Sequence, residues 1–193
     1  MEALGGQNVQ GKRLEEGGQV QLAWDDQNLY LGIRLIDTDV VAEGNRDQMH
    51  HFETGDVVEV FLRPVDRSYY WELYATPHGK RSSYFIPGRG RVGLPSNFTY
   101  KMNYLVASTV QGSFNDWHDK DTSWITEVAI PIEELRRQGD VFGAEQVWAI
   151  LIARYNYSRH LTQHRGPELS SCPALPVVDF HCLDGYAELR LLK

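Results

Sequence analysis

Apolar and polar residues alternate with a period of two through most of this chain, the spacing that puts successive side chains on opposite faces of a strand. In QVQLAW, Val20, Leu22 and Trp24 fall on one face and Gln19, Gln21 and Ala23 on the other. Asp25–Asn28 then supplies turn residues and LYLGIRLID follows at once, so the two segments read as a hairpin. The same pattern predicts strands at VVEVFL, YYWELYA, KRSSYFI, YLVASTVQ, WITEVAI, VWAILIARYNY and YAELRLL. PHGK, PGRGRVGLP and NDWHDKD separate them as turn-rich pieces. One helix is predicted in PIEELRRQG: proline suits the first helical position, glutamates the first turn, arginines the last, and Gly139 closes it. Many antiparallel strands with a single short helix predict an all-β antiparallel sandwich of immunoglobulin-like or jelly-roll type. No repeat or linker interrupts the pattern, so residues 1–193 read as one domain, with 1–18 too rich in Gly and Gln to place.

Length is compatible with that reading, because a chain of 193 residues buries roughly 70% of its unfolded surface. A net charge of −7 argues against a nucleic-acid backbone or an anionic lipid surface as partner. No apolar run is long enough to cross a bilayer, and the N-terminal residues lack the apolar stretch of a signal peptide. Cys172 and Cys182 are the only cysteines, and the sequence leaves both a disulfide and two free thiols open.

Several motifs lose their chemistry in context. GRGRVG at 88–93 matches a dinucleotide fingerprint, but Pro87 precedes it and Leu94–Pro95 follow, so no helix starts where a pyrophosphate needs one. His160 and His164 have the spacing of a zinc-binding helix, but Leu161 replaces the glutamate that chemistry requires, and the segment reads as loop. His50 and His51 are adjacent and would point apart on a strand. Neither a serine nor a cysteine sits in a catalytic signature.

The carboxylates within strands carry more. Glu59 shares a face with Val57 and Phe61, Glu72 with Tyr70 and Tyr74, and Glu127 with Ile125 and Ala129. Arg154 lies on the face of Trp148, Ile150 and Ile152. A buried ionised acid is costly unless paired or hydrogen-bonded, which leaves three readings. The first is an internal ion network, best fitted by Glu127 with Arg154, since arginine is the usual buried partner of a carboxylate. The second is a glycosidase-like acid and base drawn from the strand glutamates, such as Glu59 and Glu127. The third is hydrogen bonding to a polar ligand. A sugar site combines flat aromatics with a few carboxylates, and Phe52, Phe180, Glu59, Glu72 and Trp71 provide that mixture. Core packing is the alternative for each phenylalanine.

The segments VQLAWDDQNLYLGIRLIDTD, GDVVEVFLRP, YYWELYATPHGK, SWITEVAIP, VWAILIARYN and DFHCLDGYAELRL occur in an order that resembles the family nine carbohydrate-binding modules. The resemblance spans Val20 to Leu191. It implies a β-sandwich that binds the ends of oligo- or polysaccharide chains without catalysis. It also implies an extracellular or periplasmic setting and partnership with a polysaccharide-degrading glycoside hydrolase. Two tryptophans clamp the sugar in that family; Phe52 and Phe180 stand at the matching positions here, and Glu59 matches the strand glutamate that bonds sugar hydroxyls. Glu72 stands where some members carry an arginine. No cofactor is required by this reading. Relatives also hold structural calcium, for which Asp37, Asp39 and Asp47 in one acidic loop are the candidate ligands. Related sandwiches hold a b-type haem between histidine and methionine, which makes Met49, Met102 and His181 the candidates for an electron-transfer alternative.

Overall fold

Each alternating segment forms a strand in the computed structural model, which describes residues 2–4, 14–89, 100–162 and 166–192. The hairpin of β2 (Gly18–Trp24) and β3 (Asn28–Ile36) belongs to a five-stranded antiparallel sheet. β1 (Glu2–Leu4) flanks β2, while β8 (Ser123–Pro131) and then β7 (Leu105–Gln111) extend the sheet beyond β3. The second sheet runs β10 (Glu168–Cys172), β9 (Trp148–Asn156), β4 (Val57–Pro64), β5 (Tyr70–Ala75) and β6 (Arg81–Ile86). β11 (Ala187–Leu189) completes it by pairing with the start of β9, on residues that β10 leaves free.

Two strands carried no readable signal. β1 lies in the segment set aside for its Gly and Gln content, and pairs with Gly18–Val20. β10 is not among the predicted strands, because the residues it buries, Glu168, Ser170 and Ser171, are polar. Glu168 accepts the backbone N–H groups of Glu15 at 2.7 Å and Glu16 at 3.1 Å, tying the residues before β2 to the other sheet. The helix α1 (Ile132–Arg136) begins one residue later than expected, with Pro131 as its extended N-cap. Gly139 follows at φ +89°, a conformation that favours glycine, and its N–H bonds the Arg136 carbonyl at 2.9 Å. No disulfide joins Cys172 to Cys182.

The main core lies between the sheets. Leu29, Leu31, Ile33 and Leu35 of β3 meet Val58, Val60 and Leu62 of β4, and Trp71 of β5 stacks on Trp148 of β9 with centroids 5.7 Å apart. A second apolar layer covers the outer face of the six-stranded sheet, where Phe61, Tyr70 and Leu151 pack beneath Leu175, Phe180 and Leu183. Those last three belong to the segment 173–186 that links β10 to β11. Every residue of β5 is therefore buried, although its side chains alternate between the two layers.

Arg154 is fully buried at one end of the main core, but its partner is not Glu127. Its Nη2 donates to Asp37 Oδ2 at 2.9 Å and to Asn156 Oδ1 at 2.8 Å, and its Nη1 donates to the Ile36 carbonyl at 2.9 Å. Trp124 Nε1 donates to the same Asp37 oxygen at 3.1 Å. The guanidinium on β9 thus fastens one sheet to the end of β3 in the other. Glu127 misses this network because β8 turns it to the exposed outer face of the five-stranded sheet. Replacing Arg154 by Met strands the buried Asp37 and is expected to lower unfolding free energy by about 3–5 kcal/mol in urea titration. Glu127→Ala is expected to change it by no more than about 0.5 kcal/mol.

Candidate functional site

The register between β4 and β5 sets Glu59 opposite Tyr74 and Phe61 opposite Glu72, so the two acids lie diagonally on one face. On its other side Glu59 is opposite Ala153 of β9, whose methyl leaves the space above the carboxylate open. Tyr155, two residues along β9, returns to the same face at the rim of that space. The floor is thus written by strand alternation, and its walls come from elsewhere. Phe52 arrives on the 3-10 turn His51–Glu53, just before β4, and Asp179, Phe180 and His181 arrive on the segment between β10 and β11. Together they enclose a pocket of about 280 Å³.

The aromatic rings form a continuous wall. Phe52 lies 5.6 Å from Tyr155 and 6.3 Å from Tyr74, and Tyr155 meets Phe180 edge-on at 5.6 Å. Each arm is tied down. The Tyr157 hydroxyl donates to the Phe52 carbonyl, and the Tyr186 hydroxyl to the Phe180 carbonyl at 2.8 Å. His181 Nδ1 shares a hydrogen bond of 2.7 Å with the Tyr70 hydroxyl, and its backbone N–H donates to Asp179 Oδ1 at 2.9 Å.

Both acids are nearly out of solvent, with Glu59 3% and Glu72 7% exposed. Burial pushes Glu72 up to about 7, against the pull of the Tyr74 hydroxyl that donates to its Oε1 at 2.5 Å. Burial first, and then the neighbouring Glu72 charge, hold Glu59 well above the usual carboxylate range. Burial also raises Tyr74 and Tyr155 and lowers His181, keeping their side chains neutral. Near neutral pH Glu59 therefore keeps its proton while Glu72 is poised to release its own, so the pair can both donate hydrogen bonds and accept them.

Four of the five residues singled out for ligand contact (Phe52, Glu59, Glu72 and Phe180) line this pocket. Trp71 does not. It precedes Glu72, so alternation turns its fully buried indole into the inter-sheet core, where Nε1 donates to the Tyr100 hydroxyl at 3.0 Å. Tyr155, Tyr74, Asp179 and His181 were not anticipated. Tyr74 and Tyr155 share faces with Glu72 and Ala153, so alternation alone carried their signal; no periodicity marks Asp179 and His181.

Other candidate sites come apart. Glu59 and Glu127 lie on opposite outer faces of the sandwich and cannot flank one bond. Asp37 is held by Arg154 and Trp124, Asp39 accepts the Arg159 N–H at 2.7 Å, and Asp47 accepts the Arg81 N–H at 3.1 Å. Their oxygens serve separate donors, and no metal-binding group of three acids, histidines or cysteines occurs among the described residues. Met102 packs between the sheets while His181 covers the outer layer, so the six-stranded sheet separates them. The backbone N–H of Met49 bonds Ser82 Oγ, and its carbonyl accepts the Ser82 hydroxyl, at the edge of that sheet. Most of GRGRVG, together with His164, lies outside the described residues. A larger hollow of about 820 Å³ on the outer face of the five-stranded sheet offers Glu127 as its only charge and Tyr30 as its only ring. It lacks the converging polar groups of the smaller pocket.

No protein-family model and no curated protein sequence matches the chain. Among solved structures it is similar to a candidate carbohydrate-binding protein from Bacteroides uniformis, at 17% identity and a TM-score of 0.72 over 97% of this chain and 84% of that one. It is also similar to a family nine carbohydrate-binding module from Caldicellulosiruptor kristjanssonii in complex with glucose. There the identity is 11% and the TM-score 0.58, over 93% of this chain and 78% of that one. At these identities the likeness establishes a common fold, and the chain has the antiparallel β-sandwich of a family nine carbohydrate-binding module.

Proposed function

We propose that the chain binds sugar, without catalysis, in the pocket floored by Glu59 and Glu72. The observation that carries this reading is the meeting of two buried acids with a ring wall from three separate elements. Pyranose rings present C–H patches that stack on aromatic faces, and hydroxyls that need donors and acceptors at fixed places. A pocket of about 280 Å³ suits a terminal sugar better than the middle of a chain, which needs a groove open at both ends. The shared fold with a module crystallised with glucose supports the same ligand class.

The position of the acids favours binding over hydrolysis. Glycosidases place their carboxyls on either side of the scissile bond, whereas Glu59 and Glu72 project from neighbouring strands of one floor. The resemblance of its strand motifs to the family nine modules extends the proposal to work outside the cytoplasm beside a polysaccharide-degrading enzyme.

Titration with a broad panel of mono- and oligosaccharides, followed by calorimetry or intrinsic fluorescence, is expected to find a ligand. Phe180→Ala and Glu59→Gln are each expected to weaken that ligand by about tenfold or more, with cooperative unfolding retained. A panel that yields no signal with any sugar sinks the reading.

The raised acids also fix a pH dependence of stability. In the unfolded chain Glu72 loses its proton above about pH 4.3; in the fold it keeps it to about 7. The folded state then binds more protons, so stability falls as pH rises through that window. The titratable groups around the pair are Tyr70, Tyr74, Tyr84, Tyr155, Tyr186, Asp179, His181 and, on the turn, Glu53. Glu72→Gln is expected to be more stable than the parent at about pH 8, by about 1–3 kcal/mol, with the gap closing near pH 4 in urea unfolding.

A further inference from the structure

The charge of the pocket is unbalanced. Glu59 and Glu72 lie at its floor and Asp179 at its exposed mouth, and no lysine or arginine lines it among the described residues. Nearby cations are committed elsewhere. Arg154 follows Ala153 but faces the other way, into Asp37. Arg63 donates to the carbonyls of Val65 and Arg67, and Arg89 pairs with Asp184 at 3.0 Å. Tyr74 is the hydroxyl donor between the two acids, and it is given to Glu72 at 2.5 Å.

A buried carboxylate must hold a proton, meet a cation or take several hydrogen bonds. Neither the floor nor the walls supply the cation, and the metal alternative fails because these acids are not part of any metal-binding group of three among the described residues. An ammonium group meets the requirement differently. It needs no fixed coordination shell, brings three donors to two acceptor carboxylates, and is favoured by surrounding ring faces.

We propose that the pocket selects a sugar bearing a free amine, a hexosamine residue, over the neutral sugar of the same shape, and rejects uronic acids. This rests on the sugar-binding reading above and adds the charge of the ligand to it. The ammonium sits between Glu59 and Glu72 and supplies the positive charge that the fold omits, while Phe52, Tyr155 and Phe180 receive the ring. A uronate brings no positive charge to draw the protons from the pair, and its carboxylate meets Asp179 at the mouth, so it is disfavoured. N-acetylation removes the charge and with it the advantage.

Calorimetric titration of the purified chain near neutral pH with D-glucosamine, D-glucose, N-acetyl-D-glucosamine and D-glucuronate separates the possibilities. Glucosamine is expected to bind about tenfold or more tightly than glucose, N-acetylglucosamine no better than glucose, and glucuronate without measurable heat. Glucosamine binding is also expected to release protons, read as a dependence of the observed heat on the buffer's ionisation enthalpy. The paired change Glu59→Gln with Glu72→Gln is expected to abolish the preference for the amine while the chain unfolds cooperatively. Glucose binding as tightly as glucosamine overturns the inference and leaves sugar binding intact. Silence from every sugar, charged and neutral, overturns both.

Discussion

The site exists because two strands share one edge. β10 pairs with the end of β9 and β11 with its beginning, so the chain must leave the sheet and return to the same edge. It does so across the outer face of the sheet, laying Leu175, Phe180 and Leu183 over Phe61 and Leu151. That cover turns an ordinary solvent face into a second apolar layer, and buries β4 and β5 on both sides. Without it Glu59 and Glu72 would be surface residues of little consequence. With it they become desolvated acids, and their displaced proton affinities follow from the cover as directly as from their own chemistry.

The same chain meets the cost of a buried charge in two opposite ways. Arg154 and Asp37 answer each other, and Trp124, Asn156 and the Ile36 carbonyl take further donors and acceptors around them. That node fastens the sheets. Among the described residues, Glu59 and Glu72 have the Tyr74 hydroxyl between them, and they face a pocket instead of a guanidinium. An acid pair in that state is less stable than the surrounding structure could have made it with one arginine. That incompleteness faces the pocket, where a ligand is able to complete it.

Much of this was legible in the sequence, and the limits follow from one rule. Period-two alternation gave the strands, the two-faced burial of VVEVFL and YYWELY, and the shared face of Glu72 with Tyr74. It could not pair Glu59 with Glu72, because pairing depends on register, and it could not separate Arg154 from Glu127 for the same reason. Trp71 was misplaced where composition was allowed to override alternation: an aromatic beside Glu72 in sequence is on the wrong face in space. β10 was invisible because the residues it buries, Glu168 and Ser170, are polar. Asp179 and His181 lie in a segment with no repeat, placed only by the return of β11. The acids read as calcium ligands lie close in the chain, and each accepts from a different donor, which only the fold reveals.

Phenylalanine at positions 52 and 180 bears on how the pocket holds a ligand. A pair of tryptophans could enclose a ring between them unaided, but two smaller rings cannot cover the same area. Here Tyr155 stands between Phe52 and Phe180, 5.6 Å from each, so three rings on three elements make one wall. Two of those rings depend on hydroxyl bonds from outside the pocket: Tyr157 fixes the turn that carries Phe52, and Tyr186 fixes the segment that carries Phe180. Tyr186 also packs on Phe61, whose neighbour across the ladder is Glu72. The wall and the acidic floor are therefore held by the same packed layer, and a change in the cover reaches the aromatic contacts and the acids' environment together.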